Sequence, residues 1–211
     1  MISAVDSLAR LRDGNARFVA GRPVAAAAAL TRTALVDGQE PFAIILGCSD
    51  SRVPVEMVFD QGFGDLFVIR VAGNIVAPSL LGSIEFAASR FGTRLVVVVG
   101  HTRCGAVTAA LEELQGHPSA ESRNLRSIVD RVRPSIEPLM RGAAPADDER
   151  LMHAAVRANV SASVEQVRRG SALLQQLIRD DGLLVAGAEY SLETGVVDFF
   201  DGVPGGAEFL A

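Results

Sequence analysis

The chain has 211 residues, 49% hydrophobic and 21% charged, with a net charge of −5. That length suits one domain with a full core, and the composition is that of a globular chain. The acidic balance, with no basic block or stripe, argues against nucleic acid as a partner, and no apolar run approaches the roughly 18 residues of a membrane span.

The first six residues carry neither a basic region nor an apolar core, so no export signal is expected. A cytoplasmic, reducing setting follows, in which thiols serve metals better than structural disulfides. Residues 7–19 place Leu8, Leu11, Phe18 and Val19 at helical spacing, ended by Gly21 and Pro23. An Ala-rich stretch and a second helix over residues 30–37 complete an N-terminal helical arm of about 40 residues. Residues 42–46 are then wholly apolar, which reads as a strand buried on both faces, the parallel-sheet case.

A short helix with Pro54 in its first turn follows over 53–58. Residues 66–71 read as the second strand. Residues 78–90 form a helix with Leu81, Ile84, Phe86 and Ala87 on its apolar face. Residues 94–99, with Val96 to Val99 in succession, are too β-branched for a helix start and form the third strand. Helices are expected over 105–114, 122–139, 146–168 and 171–180. Strands at 183–188 and 195–200 end the pattern, the last as an edge strand. Strands alternating with helices imply a parallel sheet with right-handed crossovers. The expected fold is α/β, one domain over residues 1–211. Its central, mostly parallel sheet has four strands plus a fifth edge strand, flanked by helices.

The chain has two cysteines, and both follow the buried runs just described. The first run delivers Cys48, Asp50 and Arg52, and the second delivers His101 and Cys104. Parallel strands would bring all of these to the carboxyl edge of one sheet, where open α/β sheets place their sites. A lone Cys is usually a small buried hydrophobe, and a lone His after a strand is usually structural. Two cysteines and a histidine together are a zinc set, with one position open in catalytic sites. The His101-x-x-Cys104 spacing lets one turn present both, and the helix expected after Cys104 favours a thiolate there. A thiol–disulfide pair is the rival reading. A phosphate-binding Cys loop is not, because only three residues separate Cys48 from Arg52. His117 and His153 lie outside this pattern and read as surface or structural residues.

Cys48-Ser49-Asp50-Ser51-Arg52 with His101-x-x-Cys104-Gly105 resembles the β-class carbonic anhydrases, in particular their actinobacterial-type branch. Gly14-Asn15-Ala16-Arg17-Phe18, Arg70-Val71-Ala72-Gly73-Asn74, Gly82-Ser83-Ile84-Glu85-Phe86, and Gly187, Tyr190 and Thr194-Gly195 extend the resemblance over most of the chain. It implies one Zn2+ per chain on Cys48, His101 and Cys104. Hydroxide in the fourth position would attack carbon dioxide to give bicarbonate and a proton.

Asp50, two residues from a ligand, could itself take the fourth position and close the site. Arg52 can hold that carboxylate bidentately and keep it off the metal, leaving Asp50 to orient the attacking group. A plain loop salt bridge is the alternative for this pair. The resemblance also implies a substrate pocket of Gln39, Phe67 and Ala72, with the Gly105 backbone N–H as a donor. It implies a homodimer or dimer of dimers, with the arm across a partner subunit.

Phe86 stands where many relatives have Tyr, which removes a hydroxyl. Ile45 stands where a bicarbonate-regulated branch has Trp, beside Arg70 and Tyr190, so regulation by bicarbonate in that pocket is not expected. Two further functions fit the same scaffold. One is a hydrolase of carbonyl sulfide or CS2. The other is a non-catalytic, zinc-stabilised bicarbonate-binding module, against which the intact Asp50–Arg52 pair argues.

Overall fold

The structure is a computed structural model that describes residues 2–24, 33, 35–117, 122–141 and 148–204. Its helices are α1 (Ala4–Val19), α2 (Val55–Val58), α3 (Pro78–Arg90), α4 (Gly105–Leu114), α5 (Arg123–Arg141), α6 (Asp148–Arg169) and α7 (Ala172–Asp180). Its strands are β1 (Ala43–Gly47), β2 (Leu66–Arg70), β3 (Leu95–His101), β4 (Leu184–Tyr190) and β5 (Val197–Asp201).

The strands form one sheet in the order β2-β1-β3-β4-β5. The first four are parallel, and β5 runs antiparallel along β4. Every residue of β1 and β3 is buried, which is why their sequences are continuous apolar runs and not alternating ones. The strand order reverses between β1 and β3, because β2 lies on one side of β1 and β3 on the other. The carboxyl ends of the strands therefore open a crevice at that point. Register holds the two ends nearly level, with Gly47 opposite Val99. On the far side of β3, His101 pairs with Tyr190.

One face of the sheet packs on Leu8 and Leu11 of α1 and Val55 and Val58 of α2. The other packs on Ile84 and Ala87 of α3 and Val160 and Val164 of α6. Two glycines let α6 come close. A Cβ on Gly100 would stand 2.5 Å from Val160 Cγ2, and one on Gly187 would stand 2.9 Å from Val160 Cγ1. A third cluster, around α4, α5 and the start of α6, encloses Cys48 and Cys104.

The fold is the expected one, with shifts at element ends. β3 and β4 each run two residues past the expected limit, to His101 and Tyr190, because each gains its partner on the other strand. β5 begins at Val197, since Gly195 and Ser191 are tied in a turn by Gly195 N to Ser191 O and Ser191 N to Val196 O. α5 continues through Pro134 and Pro138 to Arg141. Of the helix expected over 30–37, residues 30–32 and 34 lie outside the described residues, and 36–37 form a turn.

One face of α1 belongs to the protomer's own core, and Asn15 anchors it. Its buried amide donates to Val58 O at 3.1 Å and Gly195 O at 2.9 Å, while its Oδ1 accepts from Val197 N at 2.9 Å. Asn15→Ala leaves these backbone groups without partners and is expected to lower stability by about 2–4 kcal/mol. Urea denaturation checks this, and an unchanged midpoint would mean that α1 is held by its apolar contacts alone.

Candidate metal centre

β1 ends at Gly47 and delivers Cys48 directly. β3 carries His101 as its last residue, and Cys104 is the N-cap of α4. The turn between His101 and Cys104 is tight, and Arg103 takes φ 56° to close it. The ligand atoms of Cys48, His101 and Cys104 all lie within 4.8 Å of one another. The side chains are shielded, with His101 at 0%, Cys104 at 1% and Cys48 at 5% exposure.

The set fits a metal ion on its own chemistry. His101 Nδ1 lies 2.9 Å from the carbonyl oxygen of Thr102. A carbonyl only accepts, so Nδ1 carries the proton and Nε2 keeps its lone pair. That Nε2 is buried and, among the described residues, has no hydrogen-bond partner outside the cysteine cluster, an expensive state unless a ligand to it is bound. Soft sulfur beside imidazole nitrogen is a donor set that suits zinc.

The electrostatics are those of two thiols forced together. A hydrogen bond from Cys104 holds the Cys48 thiol down at about 4, against the cost of burial. The same bond, followed by burial, pushes the Cys104 thiol far up, although the N–H groups of Val107 and Ala106 at the start of α4 pull it back. The pair thus gives up its first proton readily and keeps the second, until a cation takes its place. Burial works against an imidazolium at His101, and Cys48, the Thr102 carbonyl and Asp50 together more than offset it, so its net shift is upward.

Asp50 and Arg52 stand at the open side. Arg52 Nε donates to Asp50 Oδ1 at 2.9 Å and Nη2 donates to Oδ2 at 2.7 Å. The Arg52 backbone N–H adds a third bond to Oδ1 at 2.9 Å. This fork holds the Asp50 carboxyl well below the usual carboxylate range. Oδ2 stays 3.8 Å from His101 Nε2, at the border of the cluster and outside hydrogen-bond reach.

Sequence reasoning missed what holds this loop. Arg70, at the end of β2, donates from Nε to Cys48 O at 3.0 Å and from Nη2 to Asp50 O at 2.6 Å. The backbone N–H of Gly73 donates to Cys48 Sγ at 3.4 Å. Both residues stand in the Arg70–Asn74 motif, but these roles are not legible there, because each bond has a main-chain group at one end. Ile45, the residue in the Trp position, is fully buried in the core.

The four expected pocket residues are not all brought together. Ala72 begins the 3₁₀ turn Ala72–Asn74 beside Cys48, and Gly105 opens α4. Gln39 precedes β1 and lies at the opposite, amino edge of the sheet, beside Phe42, Arg90 and Phe91. Phe67 lies on β2, with its ring 6.2 Å from Phe86 and 6.0 Å from Phe91. His117 is exposed, and His153 pairs with Glu189 at 3.0 Å, away from the cysteines.

A family model described as carbonic anhydrase matches residues 43–197. The chain belongs to the carbonic anhydrase family. It is 40% identical over 190 residues to the carbonic anhydrase of Mycolicibacterium smegmatis, covering 89% of each chain. To carbonic anhydrase 2 of Mycobacterium tuberculosis it is 38% identical over 187 residues, covering 88% of this chain and 87% of that one. Among solved structures it superposes on the β-carbonic anhydrase CcaA with a TM-score of 0.71 at 26% identity, over 94% of this chain and 89% of that one. A tetrameric β-carbonic anhydrase of Sordaria macrospora shares the fold, with a TM-score of 0.73 at 23% identity, over 92% and 96% of the two chains. The β class is thus carried by both sequence and fold.

Each ligand variant of a carbonic anhydrase centre of this kind should fail separately. Cys48→Ser, His101→Ala and Cys104→Ser are each expected to lower bound zinc from one per chain to near zero, measured by atomic emission on purified protein. Full zinc in Cys104→Ser would remove that residue from the ligand set.

Proposed function

We propose that this chain catalyses the reversible hydration of carbon dioxide to bicarbonate and a proton, with zinc held by Cys48, His101 and Cys104. The observation that carries the reading is the buried Nε2 of His101, which among the described residues has no hydrogen-bond partner outside its cluster with two thiols, flanked by the forked Asp50, in a chain of this family. Zinc bound there supplies a Lewis acid that makes water acidic enough to react near neutral pH.

The chain's own residues do the rest. Arg52 keeps Asp50 ionised and turned away from the ligand cluster. An ionised Asp50 only accepts hydrogen bonds, so it can orient an attacking water by accepting a hydrogen bond from it. Arg70 fixes the backbone oxygens on either side of Ser49, which fixes where Cys48 and Asp50 point. The N-terminus of α4 offers the Gly105 N–H and a positive dipole end to developing negative charge. Asp50 Oδ2 lies 3.8 Å from His101 Nε2, so a carboxylate released by Arg52 would compete for the metal and close the site.

We also propose a homodimer or dimer of dimers. β2 is an edge strand, and beside it Phe67, Phe86 and Phe91 form an aromatic cluster with Phe86 54% exposed. Ile2, Val5 and Val19 on and beside α1 are exposed apolar residues as well. A partner's Gln39 and Phe67 could then complete the pocket that a single protomer leaves unfinished, with the arm lying across that partner. Sedimentation should show a dimer or larger species, and a stable, active monomer would overturn the proposal.

Stopped-flow carbon dioxide hydration tests the activity. The rate is expected to rise from pH 7 toward alkaline values, because two thiolates lessen the metal's pull on a water proton. Asp50 is held ionised far below that range, so the acid limb cannot be its titration. Arg52→Ala should keep its zinc and lose about 10²-fold or more in rate, since Asp50 is then free to occupy the metal. A flat profile, or an Arg52→Ala enzyme as fast as the parent, would refute this mechanism.

A further inference from the structure

Asn159 lies in the middle of α6, where a helix normally presents apolar residues to a sheet. It is 2% exposed, among Val156, Val160 and Val164. An uncompensated amide there would be costly. Its Nδ2 instead donates to the carbonyl oxygen of Gly73 at 2.8 Å, inside the protein. On the other side of the same α-carbon, the Gly73 N–H donates to Cys48 Sγ at 3.4 Å.

Gly73 can do this only as a glycine held in place. Its φ is 70°, the left-handed region, and a Cβ would stand 2.9 Å from Ala106 Cβ. Asn74 follows with φ 43°. Two successive residues in that region form an unstable turn by themselves. A backbone hydrogen bond spans it, from Asn74 N to Val71 O at 3.1 Å. Asn159 supplies a hold from outside, and reaches because Gly100 and Gly187 let Val160 settle close to the sheet.

We propose that Asn159 is a positioning residue for the Cys48 thiolate. By holding the Gly73 carbonyl it holds the backbone torsions of Gly73, and so keeps the N–H of the preceding peptide plane on the sulfur of Cys48. Such outer bonds set the charge and direction of a thiolate ligand. The inference rests on the zinc site proposed above, and adds a residue that touches neither metal nor substrate.

The test compares Asn159→Leu and Asn159→Asp with Val164→Ala, a core truncation five residues further along the same helix, where the side chain packs on Gly187 of the sheet. Zinc affinity is measured by competition with a chelator. Cobalt is substituted for zinc, and its thiolate charge-transfer band is recorded. Both Asn159 variants are expected to lose about 10–100-fold in zinc affinity and to shift the cobalt band. Val164→Ala should lower thermal stability and leave affinity and band unchanged. Asn159→Asp keeps the size of the side chain, so it gives the reading if the leucine variant does not fold. Unchanged affinity and band in a folded Asn159 variant would overturn the inference, and so would an equal affinity loss in Val164→Ala. A parent protein that binds no zinc would overturn the metal centre itself, which is a separate outcome.

Discussion

Two neighbouring parallel strands that end level with each other are the constraint on which this molecule depends. β1 and β3 deliver a cysteine and a histidine to the same height, and the turn after β3 returns a second cysteine to them. Two sulfurs and a ring nitrogen in so small a buried volume repel or starve one another. Burial raises the cost of every charge, and the thiols can share one proton comfortably but not lose both. The surrounding groups answer this in kind, with a backbone N–H at Cys48 Sγ, a helix N-terminus behind Cys104, and a carbonyl that leaves the histidine lone pair facing inward. A doubly charged cation would resolve the remaining conflict.

The loop after β1 is governed by two arginines with different tasks. Arg52 grips the side chain of Asp50, while Arg70 grips the main chain around it. The separation matters because a carboxylate so near a metal has a strong reason to bind it. A carboxylate fixed at one end only could still swing. Fixed at both ends, it is held beside the cluster as an acceptor, which is the arrangement the proposed hydration would use.

Much of this was legible in the sequence, and for a physical reason. Strands buried on both faces must be continuously apolar, so β1 and β3 announced themselves, and the residues they launch could be placed on one edge. Cys48, His101 and Cys104 followed from that placement, as did the Asp50–Arg52 fork, whose partners are two residues apart. Arg70 and Asn159 did not follow. Both work on carbonyl oxygens, which every residue has, and Asn159 reaches Gly73 across 86 positions of chain. The glycines that bring α6 near enough, Gly100 and Gly187, look in sequence like ordinary interruptions of a strand. Gln39 was placed in a pocket by resemblance alone. In one protomer it lies at the other end of the sheet, a position that only a second subunit could bring to the cysteines.

The pairing of Tyr190 with His101 has a spectroscopic consequence. The chain contains one tyrosine and no tryptophan, and that ring is buried at the end of β4, across a single strand pairing from the histidine. All near-ultraviolet emission above that of phenylalanine therefore arises from one point, next to the cysteine cluster. With no indole to drain the excitation, changes at the metal and the loosening of β3 from β4 both reach the detector without dilution from the remainder of the molecule. The same scarcity makes absorbance at 280 nm a weak measure of concentration for this protein, and the peptide band a better one.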